Sequence, residues 1–120
     1  MSTVILAVNE IEIEVENCTW QVAIFNFCDE HVTKGSAYYI MRRYGYINAD
    51  SDTVQALLKT EKYLRPFLPL ICAGIGGDSV TCIQKDGEDS TKTLILTDCA
   101  WGDKYNFAGM KIAQGHKAWS

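Results

Sequence analysis

The chain has 120 residues, 48% of them hydrophobic and 22% charged, with a net charge of −4. That length fits a single domain (residues 1–120) burying roughly two thirds of the surface its unfolded form exposes. The composition excludes a disordered chain, and there is no low-complexity tract or internal repeat.

Charge is unevenly distributed. Residues 1–33 carry six acids (Glu10, Glu12, Glu14, Glu16, Asp29 and Glu30) and no base, whereas residues 34–65 carry six bases and three acids. An acidic first third disfavours nucleic acid as its ligand, because phosphate contacts need Lys and Arg. The longest apolar run, Pro66 to Ile75, is about half of the ~20 residues a membrane span requires. Met1 to Val8 lacks the basic start of a signal peptide. A cytoplasmic protein without a membrane partner is expected. Five cysteines (Cys18, Cys28, Cys72, Cys82 and Cys99) are an odd number, which suits free thiols in a reducing compartment better than a disulfide framework.

Thr3 to Val8 is rich in β-branched residues and predicts a strand, which Asn9-Glu10 would turn back on Ile11 to Glu16 as a hairpin. Ile11, Ile13 and Val15 then form an apolar row, and Glu10, Glu12, Glu14 and Glu16 an acidic row on the opposite face. Trp20, Ala23, Ile24, Phe27 and Cys28 recur at helical spacing. This predicts a helix capped by Asn17 or Thr19 and ending near Thr33, with Gly35 beyond it. The alternation of Val22, Ile24 with Phe25, Phe27 offers a strand as the alternative.

Ser36 can cap a short helix over Ala37 to Arg43, ended by Gly45. Thr53 to Leu64 is the clearest helix, with Val54, Leu57, Leu58, Glu61 and Leu64 on one stripe and Gln55, Lys59 and Lys62 facing away. Pro66 stops it. Leu70 to Ile75, after Pro69 and before Gly76-Gly77, predicts a buried apolar plug. Ser79 to Lys85 and Thr91 to Thr97 flank Asp86-Gly87-Glu88-Asp89-Ser90, a hairpin signal. Trp101 to Phe107 and Met110 to Gln114 predict a last hairpin around Ala108-Gly109. The expected fold is α+β: an antiparallel sheet from N- and C-terminal hairpins, with about three helices packed on one face.

Several groups carry possible chemistry. Cys28-Asp29-Glu30-His31 is half a tetrahedral zinc site, which Cys18 or Cys99 with His116 would complete, but a core cysteine beside a surface histidine explains it without metal. Asp98, Cys99 and His116 suffice on paper for a nucleophilic site, yet no local signature supports them. Gly74-Ile75-Gly76-Gly77 lacks the strand, helix and Lys of a phosphate loop and reads as a turn. Lys34, Arg42 and Arg43 interleave with Tyr38, Tyr39, Tyr44 and Tyr46, a composition that protein interfaces enrich. No catalytic residue, metal or cofactor is assigned.

The acidic row remains. Carboxylates two apart on a strand lie about 6.8 Å from each other, so the four glutamates span about 20 Å. Such a line is either a solvated strand face or a surface for a cationic partner. The expected function is non-enzymatic: an inhibitor, immunity or anti-defence protein that binds a basic, nucleic-acid-handling protein through Glu10, Glu12, Glu14, Glu16, Asp29 and Glu30. The rivals are a small Cys- or zinc-dependent enzyme and an oligomer-forming structural subunit.

Overall fold

The computed structural model describes residues 3–12, 19–28, 31–60, 62–72 and 77–112. The elements are β1 (Val4–Glu12), β2 (Thr19–Asn26), α1 (Lys34–Arg43), β3 (Ile47–Asn48), α2 (Ser51–Thr60), a 3₁₀ helix (Lys62–Phe67), β4 (Leu70–Cys72), β5 (Ser79–Lys85), β6 (Thr91–Thr97) and β7 (Asn106–Ile112). Among the described residues seven strands join one sheet in the order β1-β2-β7-β4-β5-β6, with β3 also paired to β7. The fold is therefore mixed α+β, dominated by its sheet. β4 runs parallel to β7, and the other pairs are antiparallel.

Thr19–Asn26 is a strand and not the helix expected over these residues. Val22, Ala23, Ile24 and Phe25 are all 0–1% exposed. A surface helix buries one stripe, whereas a strand covered on both faces buries consecutive residues. Val22 and Ile24 pack in one apolar cluster, and Ala23 and Phe25 in another. β1 runs through Asn9-Glu10 without turning and pairs with β2 from Val4↔Asn26 to Glu12↔Thr19, with a register shift between Ile5 and Ala7. The rest of the expected second strand, Ile13 to Glu16, lies outside the described residues.

The helices lie on opposite faces of the sheet rather than together on one. Ala37, Ile40 and Met41 of α1 pack with Ala23, Phe25, Phe27, Cys82 and Phe107. Val54, Leu57 and Leu58 of α2 and Leu64 of the 3₁₀ helix pack with Val22, Ile24, Leu70, Ile83 and Ala108. Neighbouring strand residues alternate between the two clusters, as the period of two demands.

α1 begins earlier than its expected Ser36 cap. Thr33 is the N-cap, and its side chain accepts from the Ser36 N–H. Gly45 at φ +87° follows its end. The apolar stripe Val54, Leu57, Leu58 and Leu64 is buried, but it belongs to two elements, because α2 gives way to the 3₁₀ helix that contains Pro66.

Leu70–Cys72, part of the expected plug, is a central strand between β7 and β5, with all three residues buried. β5 pairs with β6 along its whole length, from Ser79↔Thr97 to Lys85↔Thr91, with Gly87 at φ +85° in the turn. The hairpin expected around Ala108-Gly109 is instead the single strand β7, and both residues lie inside it.

Gly109 sits where α1 and Tyr46 press closest to the sheet. A Cβ built there would lie 3.1 Å from Met41 Sδ, 3.1 Å from Tyr46 Cβ and 3.2 Å from Phe25 Cε1. Gly109→Ala gains about 0.4–1 kcal/mol by restricting the unfolded chain, but overpacking costs about 1–3 kcal/mol. A net destabilisation is expected, visible as a lower denaturant midpoint at unchanged slope. In a Gly109→Ala/Met41→Ala cycle the double variant should lose less than the sum of the two single losses. An unchanged midpoint would show that the contact is slack.

Candidate functional site

The acidic row meets the fold at one edge of the sheet. Glu10 and Glu12 are in β1, at register positions opposite Gln21 and Thr19 of β2. Cross-strand partners share a face, and Gln21 alternates with Trp20 and Val22, which pack on the α2 side, so both glutamates occupy positions on the face that α1 covers farther along. Gln21 in turn pairs with Lys111 of β7, whose ammonium sits 4.7 Å from the centre of the Tyr46 ring. Glu14, Glu16, Asp29 and Glu30 lie outside the described residues.

β1 is an edge strand, and among the described residues no strand pairs with its outer side. Val4, Ile5 and Val8 are 44%, 38% and 44% exposed, so the same strand offers unpaired backbone groups and apolar side chains. Edges of this kind are templates for another chain, and acidic residues along them restrict which chains are accepted.

The structure redistributes the other candidates. The loop holding Cys28 and His31 meets the 98–105 loop through the paired residues Val32 and Trp101. Asp98 is occupied there: its carboxylate accepts from the Lys34 N–H at 3.1 Å and from Trp101 Nε1 at 2.9 Å. It therefore accepts from a backbone N–H in the first turn of α1 and fixes the tryptophan. His31 is exposed beside Gly102, and His116 and Cys18 lie outside the described residues. Among the described residues, no three His, Cys, Asp or Glu side chains come together in a way that could hold a metal ion.

Cys72 and Cys82 are buried, and burial pushes both thiols above their ordinary pKa, which disfavours the reactive thiolate. Cys99 is exposed. Alkylation of the native protein at pH 8 should therefore modify Cys99 quickly and reach Cys72 and Cys82 only on unfolding. Mass mapping of the modified thiols checks this, and rapid labelling of Cys72 in the native state would contradict the burial.

The basic, tyrosine-rich group divides. Tyr46 is buried, and Lys34 Nζ donates to the Ser79 carbonyl at 2.9 Å. Tyr38, Tyr39, Arg42 and Arg43 remain on the outer side of α1 around an open groove of about 450 Å³. Arg42 donates to the Tyr38 hydroxyl and stacks over its ring at 5.5 Å.

A second cationic group was not singled out in the sequence. Lys59, Lys62 and Arg65 line a cleft of about 430 Å³ with Gln55, Leu58, Asp89, Ser90 and Thr91. Its sequence signals were the excess of bases over residues 34–65 and the three-residue spacing of Lys59, Lys62 and Arg65.

No family model matches the chain, and no curated protein or solved structure matches it. No helix among the described residues is long and apolar enough to cross a membrane.

Proposed function

We propose that this is a small cytoplasmic, non-enzymatic protein-binding module, an inhibitor of the immunity or anti-defence kind. It docks on a basic, nucleic-acid-handling protein through its acidic N-terminal face, taking the place of phosphates. The observation that carries this reading is the position of Glu10 and Glu12 on an edge strand without an outer strand partner among the described residues. That strand opens a third of the chain that holds six acids and no base. An edge supplies main-chain hydrogen bonds and a row of carboxylates supplies charge, and together they select a cationic segment. Glu14, Glu16, Asp29 and Glu30 extend the charge along the sequence.

The test is capture of a partner from the native host by wild-type protein and by a variant with Glu10, Glu12, Glu14 and Glu16 replaced by Gln. A basic protein retained by the wild type at low salt, released by high salt and not retained by the variant supports the reading. Equal retention by both overturns it.

A structural subunit is the second reading. It is favoured by Tyr39, which is 75% exposed, and by the apolar edge of β1. Light scattering separates the two: a concentration-independent monomer excludes self-assembly, and a stable oligomer joined through β1 excludes the inhibitor reading.

A further inference from the structure

We propose that the cleft between α2, the 3₁₀ helix and the β5–β6 turn binds the phosphate of a small hydroxylated phosphomonoester. This site is separate from β1 and does not depend on the reading above. Lys59 is in the last turn of α2, Lys62 opens the 3₁₀ helix and Arg65 follows three residues later, so three cations meet one concave surface.

Arg65 is held in place without being neutralised. Its Nη2 donates to the Glu88 carbonyl at 2.9 Å and to the Ser90 carbonyl at 3.2 Å. Carbonyl partners fix the guanidinium but leave its full charge, and Nη1 and Nε remain to donate singly to phosphate oxygens. Lys59 and Lys62 are exposed, and among the described residues neither ammonium has a hydrogen-bond or ion-pair partner. From the same helix as Lys59, Gln55 Nε2 donates to Thr93 Oγ1 at 2.7 Å and ties α2 to β6. Buried Leu58 contributes apolar surface to the lining.

The charge count identifies the ligand class. Asp89 contributes one negative charge, and the carbonyl end of α2 contributes about half of one. Over the lining side chains, which do not include Glu88, three cations therefore leave roughly +1.5, on the scale of the charge of about −1.5 to −2 on a phosphomonoester near pH 7. Asp89 accepts hydrogen bonds and repels a second phosphate, which suits a hydroxyl-bearing remainder. The volume of about 430 Å³ lies within the range for small-molecule sites. Three cations around a cleft are too few and too local to track a nucleic-acid backbone.

The experiment is an amide chemical-shift titration of the full chain with inorganic phosphate, ribose 5-phosphate, ribose and a single-stranded oligothymidylate. Saturable shifts at residues 55–65 and 88–93 with the first two, and none with ribose, support the site. Lys59→Gln/Lys62→Gln should weaken ribose 5-phosphate about tenfold or more, the scale of losing charge-assisted hydrogen bonds. Lys85→Gln/Lys104→Gln should leave binding unchanged. Arg65→Lys should weaken binding while the melting temperature stays close to wild type. Shifts that do not saturate, that spread equally over Lys34, Lys85, Lys92 and Lys104, or that survive the Lys59/Lys62 change overturn the proposal. Oligothymidylate binding tighter than ribose 5-phosphate, with a steep salt dependence, overturns it in favour of a nucleic-acid surface.

Discussion

Replacing Phe25 with Ala should destabilise the protein by about 3–5 kcal/mol, a large part of the roughly 5–15 kcal/mol that holds a domain of this size together. Phe25 is fully buried. Its ring centre lies 5.3 Å from that of Tyr46, 5.8 Å from Tyr44 and 6.3 Å from Phe27, and each such pair adds to the area effect. In the flanking strands it sits opposite Ile5 and Phe107.

Ile24, one residue earlier, is equally buried in the cluster on the other face, so Ile24→Ala should cost about 2–5 kcal/mol as well. Two adjacent residues that are both expensive to truncate mark a strand covered on both sides. A helix over the same residues places Phe25 off the Trp20, Ile24 and Phe27 stripe, where truncation costs within about 0.5 kcal/mol. Equilibrium denaturation of the two variants decides: a large loss for Ile24→Ala alone would contradict the observed sheet.

The elements whose pattern could be read from the chain are those with one face to solvent or a strong stop. β5 and β6 are bounded by Asp86-Gly87 and by turn residues at either end, and their limits follow from that punctuation. The stripe of α2 is legible because Gln55 and Lys59 interrupt it on the outer side. β2, β4 and β7 are central strands, and burial on both faces erases the alternation that announces a strand. Their apolar runs then fit a helix, a plug or a hairpin equally well.

Gly109 carries a turn signal in the sequence but answers to the crowding of Met41, Tyr46 and Phe25, which no local pattern shows. At the candidate sites, the acidity of β1 is legible from composition alone, whereas its place at the sheet edge follows from β2 being a strand. The role of Asp98 was hidden for a different reason: the N–H it accepts belongs to Lys34, sixty-four residues away. The Lys59, Lys62 and Arg65 cleft needs the β5–β6 turn as its second wall, so its concavity exists only in three dimensions.

The function proposed for β1 makes the second large prediction, in association kinetics rather than in stability. A row of like charges raises the encounter rate with an oppositely charged partner by about 10 to 10³-fold at low salt. The benefit fades as the screening length falls from about 30 Å at 0.01 M to about 3 Å at 1 M salt. Gln keeps the shape and hydrogen-bonding capacity of Glu, so replacing Glu10, Glu12, Glu14 and Glu16 removes the charge and little else. Thermal stability should be unchanged or slightly higher once the self-repulsion of the row is gone.

The most direct measurement is the association rate of wild-type and four-Gln proteins with the captured basic partner, across that range of salt. The account predicts that the wild-type rate falls steeply with salt, and that the variant is slower at low salt by about tenfold or more with a nearly flat salt dependence. Equal rates and equal salt slopes for the two proteins would contradict it and leave the acidic row as a solvated strand face.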